Sequence, residues 1–198
     1  MELSRQTINR WHHATARHLQ PVGRAILKEI RKSKELQIDE TPLDYLEPGH
    51  GSARKGHMWV YHDPHGGAVY YDWDAGRGHE RMFEVLGQDA GTGALLYQGN
   101  IQCDGYSAYE ALKKRVEDLE IGFCLSHMRR KFIEAGGVDN PVCGEVLAWI
   151  ARIYQIDQRL TGHLAGVVNC RGLVRRACLL PITESLRQRM IELRRDLL

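Results

Sequence analysis

Two short runs in the chain, Leu36-Gln37-Ile38-Asp39 and Ile101-Gln102-Cys103-Asp104, read apolar, Gln, apolar, Asp, and each stops at its carboxylate. In a strand the side chains alternate faces, so Leu36 and Ile38, or Ile101 and Cys103, point into a core while the aspartate emerges at the strand's end. Side by side and parallel, roughly 4.8 Å apart, two such strands project Asp39 and Asp104 from one edge of a sheet. Two carboxylates so placed repel unless a cation sits between them. The implied chemistry is a divalent-metal site. Mg2+ takes oxygen ligands and retains waters, so two carboxylates plus phosphate oxygens complete its shell, and Mn2+ is an alternative. A pair of ions about 3.5–4 Å apart suits phosphodiester chemistry, activating the attacking oxygen and stabilising the leaving one.

Positioning those acids requires a sheet, and the chain supplies its parts in order. His57 to His62 and Ala68 to Trp73 are aromatic and β-branched runs flanking Asp63-Pro64-His65-Gly66-Gly67, which predicts a hairpin. Pro42 to Lys55, rich in Pro, Gly and charge, is expected to be a loop after the first carboxylate. Gly78 to Gln88 is a short helix, Asp89 to Gly93 a glycine-rich connection, and Ser107 to about Leu119 another helix. Ile121 to Cys124 is a brief further strand. Helices follow from Met128 to Ala135, beyond Pro141, and from about Thr183 to Leu198. Three strands, helix, strand, helix, strand, helices is the order of a ribonuclease-H-like α/β fold: a mixed five-stranded sheet with flanking helices, plus N-terminal and C-terminal helical segments. The helical crossover before the fourth strand returns it parallel to the first, so the two become central neighbours.

The organisation expected along the chain is a basic helical segment over 1–34, a catalytic core over 35–135 and helical additions over 136–198. Ser4 is the expected N-cap of a first helix, with a break expected at Gln20-Pro21 before a second helix running to about Lys34. Met1 to Lys34 holds eight Arg or Lys residues against Glu2 and Glu29, and Arg171 to Arg195 carries seven arginines against Glu184 and Glu192. Such composition suits a polyanion, although basic helices are often merely solvated faces. With 43% hydrophobic residues the chain buries a substantial core, and it has no stretch of about 18 apolar residues that would span a bilayer. No signal-peptide apolar region opens it, so an intracellular protein is expected. Five cysteines without a C-x-x-C pair argue against a disulfide framework or a four-cysteine zinc site.

Other groups compete for chemical roles. Cys124 and His127 have C-x-x-H spacing, half of a zinc site, but no second pair is near, so packing of the thiol and hydrogen bonding of the imidazole is the preferred reading. His62 and His65 imitate a ligand pair within a hairpin turn. Trp59, Tyr61, Tyr71 and Trp73 would stack on bases if exposed, yet at alternating hairpin positions they are expected to pack the sheet. Arg129, Arg130 and Lys131 open a helix just after His127, where they either contact phosphates or line a solvated surface.

Four blocks, in order, carry a resemblance. Leu36-Gln37-Ile38-Asp39-Glu40-Thr41, Lys55-Gly56-His57-Met58-Trp59-Val60-Tyr61, Gln102-Cys103-Asp104-Gly105-Tyr106-Ser107-Ala108-Tyr109 and Cys124-Leu125-Ser126-His127-Met128-Arg129-Arg130-Lys131-Phe132 resemble the core blocks of the insertion-sequence-66 family of bacterial DDE transposases. The likeness covers about Leu3 to Ala135. It implies a ribonuclease-H-like domain that cuts transposon ends and joins them to target DNA with Mg2+ held by three acids, Asp39 and Asp104 being the first two. It also implies DNA as partner, a homo-oligomer, a cytoplasmic, nucleoid-associated location in a bacterium, and a structural role near the site for Cys124 and His127. Leu3 to Trp11 resembles the end of a DNA-reading region, which makes Arg5 and Arg10 candidate DNA contacts. The family's third acid lies in a block reading like Asn-Asn-x-x-Glu-Arg, and no stretch of this chain reads that way. The expectation is therefore of an incomplete copy, or of a remnant that binds DNA or another subunit without cleaving.

Overall fold

A computed structural model of the protein describes residues 3–116, 119–163 and 168–196. The end of the last helix at Leu198 and the side chain of Cys170 lie outside what it describes. The chain forms two compact units, Met1–Cys124 and Leu125–Leu198.

The first unit is built on a mixed five-stranded sheet in the order β3-β2-β1-β4-β5. The strands are β1 (Glu35–Leu46), β2 (Ala53–His62), β3 (Val69–Asp74), β4 (Asn100–Cys103) and β5 (Ile121–Phe123). β1 to β3 form an antiparallel meander, whereas β4 pairs parallel with β1 and β5 parallel with β4. The expected central pairing of the two aspartate strands is what the chain adopts. Between β3 and β5 come α2 (His79–Leu86) and α3 (Ser107–Arg115), the second spanning the crossover from β4 to β5.

The predicted loop over Pro42 to Lys55 is corrected: only 47–52 connect the strands, because β1 and β2 pair residue by residue from Gln37↔His62 to Leu46↔Ala53. Continuous pairing satisfies the backbone groups that a loop would leave to water. Pro42 fits because β4 pairs with β1 only as far as Gln37, leaving the other side of β1 an edge where proline is tolerated. The hairpin turn at Asp63-Pro64-His65-Gly66-Gly67 is present, closed by Asp63 N–H to the Ala68 carbonyl at 2.9 Å and by His65 N–H to Asp63 Oδ1 at 2.9 Å.

A second correction concerns Pro21, which lies inside one continuous helix α1 (Arg5–Ile30) instead of breaking it. Its ring holds φ near a helical value, so the cost is a lost N–H bond and crowding of the preceding turn rather than the helical path itself. Ser4 caps this helix as expected, accepting from Thr7 N–H at 3.2 Å. Only the last turns of α1 are anchored: Ile26, Leu27 and Ile30 pack into the core, while Ile8, Trp11, Leu19 and Val22 are exposed.

The core gathers on one face of the sheet. Leu36, Ile38, Trp59, Tyr61, Ile101 and Cys103 meet Met82, Phe83, Val85 and Leu86 of α2 and Tyr109 and Leu112 of α3. Two polar devices lock α2 in place. Buried Asp72 on β3 receives a two-pronged ion pair from Arg81 at 2.5 and 2.7 Å, and Arg31 donates to the carbonyls of Val85 and Glu84 at 2.7 and 2.9 Å. The second contact satisfies carbonyls at the helix end, where Gly87 at φ +87° turns the chain away.

The second unit comprises α4 (Leu125–Glu134), a 3-10 turn (Gly137–Asp139), α5 (Pro141–His163) and α6 (Val168–Asp196). α4 begins earlier than Met128, and α6 begins earlier than Thr183, running through Pro181. Val146, Ile150 and Ile153 pack against Leu186 and Leu193, and Arg189 spans the helices to Glu145 at 2.6 and 3.0 Å. Asn140 caps α5 through bonds from Val142 and Cys143 N–H, with Pro141 at the first helical position. Among the described residues, no helix is long and apolar enough to cross a membrane.

Candidate active site

Register decides whether the two aspartates meet. β1 and β4 align Glu35 with Asn100, Leu36 with Ile101 and Gln37 with Gln102, where their pairing ends two residues before Asp39 and Asp104. Asp104 directly follows β4, whereas β1 runs on through Asp39 to Leu46, which corrects the expectation that the first strand stops at its carboxylate: the β1–β2 hairpin carries it further. The glutamines of the repeated pattern hold this alignment. Gln37 Nε2 donates to Gln102 Oε1 at 2.8 Å, and Gln37 Oε1 in turn accepts from His62 Nδ1 at 3.0 Å. A three-strand polar ladder therefore lies one step below the carboxylates, on the sheet face away from the core. Asp39 is exposed and accepts the Glu40 N–H through Oδ1 at 3.0 Å. Asp104 is half-buried, and its Oδ1 accepts the Tyr106 N–H at 2.9 Å, so the Asp-Gly step is a tight turn delivering the chain into α3.

Behind the aspartates stands a cluster that sequence reasoning missed. Glu40 follows Leu36 and Ile38 onto the core face, and its side chain is only 2% exposed. Arg77, from the loop before α2, donates Nε at 3.0 Å and a second guanidinium nitrogen to Glu40 Oε1, while Tyr109 OH reaches Oε2 at 3.2 Å. The Arg77 guanidinium lies 3.7 Å over the Tyr106 ring, and Tyr106 OH donates to the Arg77 carbonyl at 3.3 Å. Burial works against the charge of Arg77, but the hydrogen bonds and charge of Glu40 more than offset it, so its pKa lies above the ordinary arginine value. Burial, then the charges of Asp104 and Glu40, push the Cys103 thiol up to about 12. Tyr109 is raised by burial and by Glu40 and stays protonated. The signal in the sequence was an acid at an apolar alternation position, which must be paired when the strand is buried.

The remaining candidates lie on separate elements. Cys124 closes the first unit as a half-buried free thiol whose N–H bonds the Cys103 carbonyl at 2.7 Å, and His127 lies on α4 of the second unit. Arg129, Arg130 and Lys131 are exposed on α4, with Lys131 3.7 Å from Glu134, and Arg5 and Arg10 are exposed on α1. His65 pairs with Glu35 at 3.0 Å while His62 joins the glutamine ladder, so the two histidines serve separate partners. Trp59 and Tyr61 pack the core as expected. Tyr71 and Trp73 do not: they stand 65% and 42% exposed on the opposite face, with Trp73 edge-on to Tyr45 at 5.1 Å. Their strand alternates, and that face of β3 has no helix over it in the first unit's core.

The donor chemistry of Asp39 and Asp104 is carboxylate oxygen, the type a hard divalent cation takes. The group is incomplete as a closed protein cage: among the described residues no three His, Cys, Asp or Glu side chains gather to hold a metal.

A mixed five-stranded sheet whose first and fourth strands pair in parallel, with flanking helices, defines an α/β protein. The family model described as "Transposase IS66 family" matches residues 1–198, and the chain belongs to that family. It is 27% identical over 208 residues to the uncharacterized protein y4jD of Sinorhizobium fredii, covering 98% of this chain and 39% of that relative. Another uncharacterized protein of that organism, y4qI, is 29% identical over 177 residues, with 82% of this chain and 31% of the relative covered. The chain thus spans between about a third and two fifths of the length of these relatives.

Proposed function

We propose that the first unit is the metal-binding part of a ribonuclease-H-like transposase core, acting in cleavage of DNA at transposon ends and in strand transfer to target DNA. The observation that carries this reading is the parallel β1–β4 register, whose last step pairs Gln37 with Gln102 two residues before Asp39 and Asp104, within a chain of a transposase family. The strand order, an antiparallel meander beside two parallel strands, supports the ribonuclease-H-like assignment. Asp39 and Asp104 would hold Mg2+ or Mn2+, which supplies Lewis acidity toward phosphodiester oxygens and an activated oxygen nucleophile. The Gln37–Gln102 ladder keeps the two carboxylates in register, and the Tyr106 N–H orients that of Asp104. Water, substrate phosphate and a third acid from elsewhere in a longer protein complete the shell in this reading. The basic side chains Arg5, Arg10, Arg129, Arg130 and Lys131 contribute phosphate contacts that position DNA without reading its sequence. A homo-oligomer bringing two ends together, and a cytoplasmic, nucleoid-associated location, belong to the same proposal.

The test is metal-dependent end cleavage by this chain joined to the remainder of a full-length relative. Cleavage abolished by Asp39→Asn and by Asp104→Asn is expected; cleavage that survives both substitutions overturns the roles assigned. A second reading is favoured by the lack of a three-donor group among the described residues: a remnant that binds DNA or another subunit without cutting. DNA binding without any metal-dependent nicking, even in the joined protein, would decide for it.

A further inference from the structure

Glu40 occupies a costly position. A carboxylate on the core face loses its hydration, and an apolar pair at positions 40 and 77 would pack there without that penalty, so stability alone gives a weak account of the ion pair. Its surroundings suggest another reason. Arg77 is a permanent cation within the field of Asp104, and it rests on Tyr106, the residue whose N–H holds Asp104. Its side chain is 42% exposed, so burial alone does not fix the guanidinium. Yet its described hydrogen bonds run to Glu40, on the other face of β1.

We propose that Glu40 is a positioning residue for the acidic site: by binding Arg77 against Tyr106 it keeps that cation from neutralising Asp104, and so preserves the negative charge of the Asp39–Asp104 pair for a divalent cation. The inference rests on the metal-binding reading given above. With Glu40 ionised, Arg77 and Glu40 together present a compensated pair, whose field at the aspartates is weak. Without that carboxylate the guanidinium acts as a full positive charge and as a competitor for the same oxygens. Removing both charges restores the original balance.

The experiment is Mn2+ titration of the full 198-residue chain, followed by electron paramagnetic resonance of the free ion. Four proteins are compared: wild type, Asp39→Asn, Glu40→Gln and the double variant Glu40→Gln/Arg77→Gln, each checked for folding by circular dichroism. Glu40→Gln is expected to weaken Mn2+ binding about five- to tenfold, the size of one uncompensated charge beside a divalent ion near a protein surface. The double variant is expected to return to within about twofold of wild type, which loss of a merely structural strut would not allow. Unchanged binding in Glu40→Gln, or a double variant as weak as the single, overturns the proposal. Should Glu40→Gln not fold, the double variant decides alone: near wild-type affinity supports the proposal and anything weaker overturns it. If Asp39→Asn leaves Mn2+ binding intact, the metal-site reading fails and this inference with it; if Asp39→Asn abolishes binding while Glu40→Gln has no effect, only the inference fails.

Discussion

Replacing Asp39 by asparagine should stabilise the metal-free protein, a sign opposite to that of most substitutions. In the metal-site reading, continuing the β1–β4 register two residues beyond Gln37 and Gln102 brings the Asp39 and Asp104 carboxylates side by side. At about 5–6 Å and an effective dielectric constant of about 40–60, two like charges repel by about 0.9–1.7 kcal/mol. Asp39 is exposed, and solvent screening lowers the expected gain to about 0.5–1 kcal/mol. The substitution keeps the shape and the Oδ1 that accepts the Glu40 N–H. In a chain of 198 residues this corresponds to a rise in Tm of about 1–4 °C. Saturating Mn2+ reverses the order. Wild type gains about 1.4 kcal/mol at ten times its Kd, whereas the Asp39→Asn variant lacks the anionic oxygen and gains little. Thermal melts at low ionic strength, with and without Mn2+, should therefore cross. A variant less stable than wild type without metal, or one stabilised equally by Mn2+, would refute the idea that these acids share a cation.

Three further outcomes are expected. Asp72→Asn should cost about 2–3 kcal/mol in urea unfolding, less than a fully enclosed pair because Arg81 retains access to water; an unchanged midpoint would deny the ion pair its role in seating α2. Because the Cys103 thiol is raised to about 12 from 9.0, the folded protein holds its proton while the unfolded chain releases it, so this group's contribution is whole below about pH 9 and declines from there toward pH 12. At pH 8 iodoacetamide should accordingly modify exposed Cys178 and spare Cys103 until denaturant is added, as peptide mass spectrometry can show. Gly99→Ala should cost about 1–3 kcal/mol in the same unfolding assay, since its Cβ would stand 2.7 Å from the Ser33 carbonyl oxygen and 2.2 Å from the Tyr97 hydroxyl.

How much was legible in the sequence follows from the range of the interactions involved. Alternation along four residues sufficed to send Leu36 and Ile38 inward, although β1 runs past Asp39 to Leu46 instead of stopping there, and the Pro/Gly turn at Asp63 to Gly67 announced its own hairpin. The element order then allowed few topologies, which is why the β1–β4 neighbourhood was foreseeable. Pro42 and Pro21 misled for a common reason. Each is locally unfavourable, yet a long hairpin partner in one case and the helical φ of proline in the other override the local preference.

Residue pattern alone determined that this chain has an α/β sheet and basic helices at either end, because those features depend on side-chain period and composition. The pairing of Gln37 with Gln102, the burial of Glu40 under Arg77 and Tyr109, and the exposure of Tyr71 and Trp73 were decided only in three dimensions. Those facts depend on register and on which face a helix covers, and both are set by contacts between residues tens of positions apart, about which a local pattern carries no information.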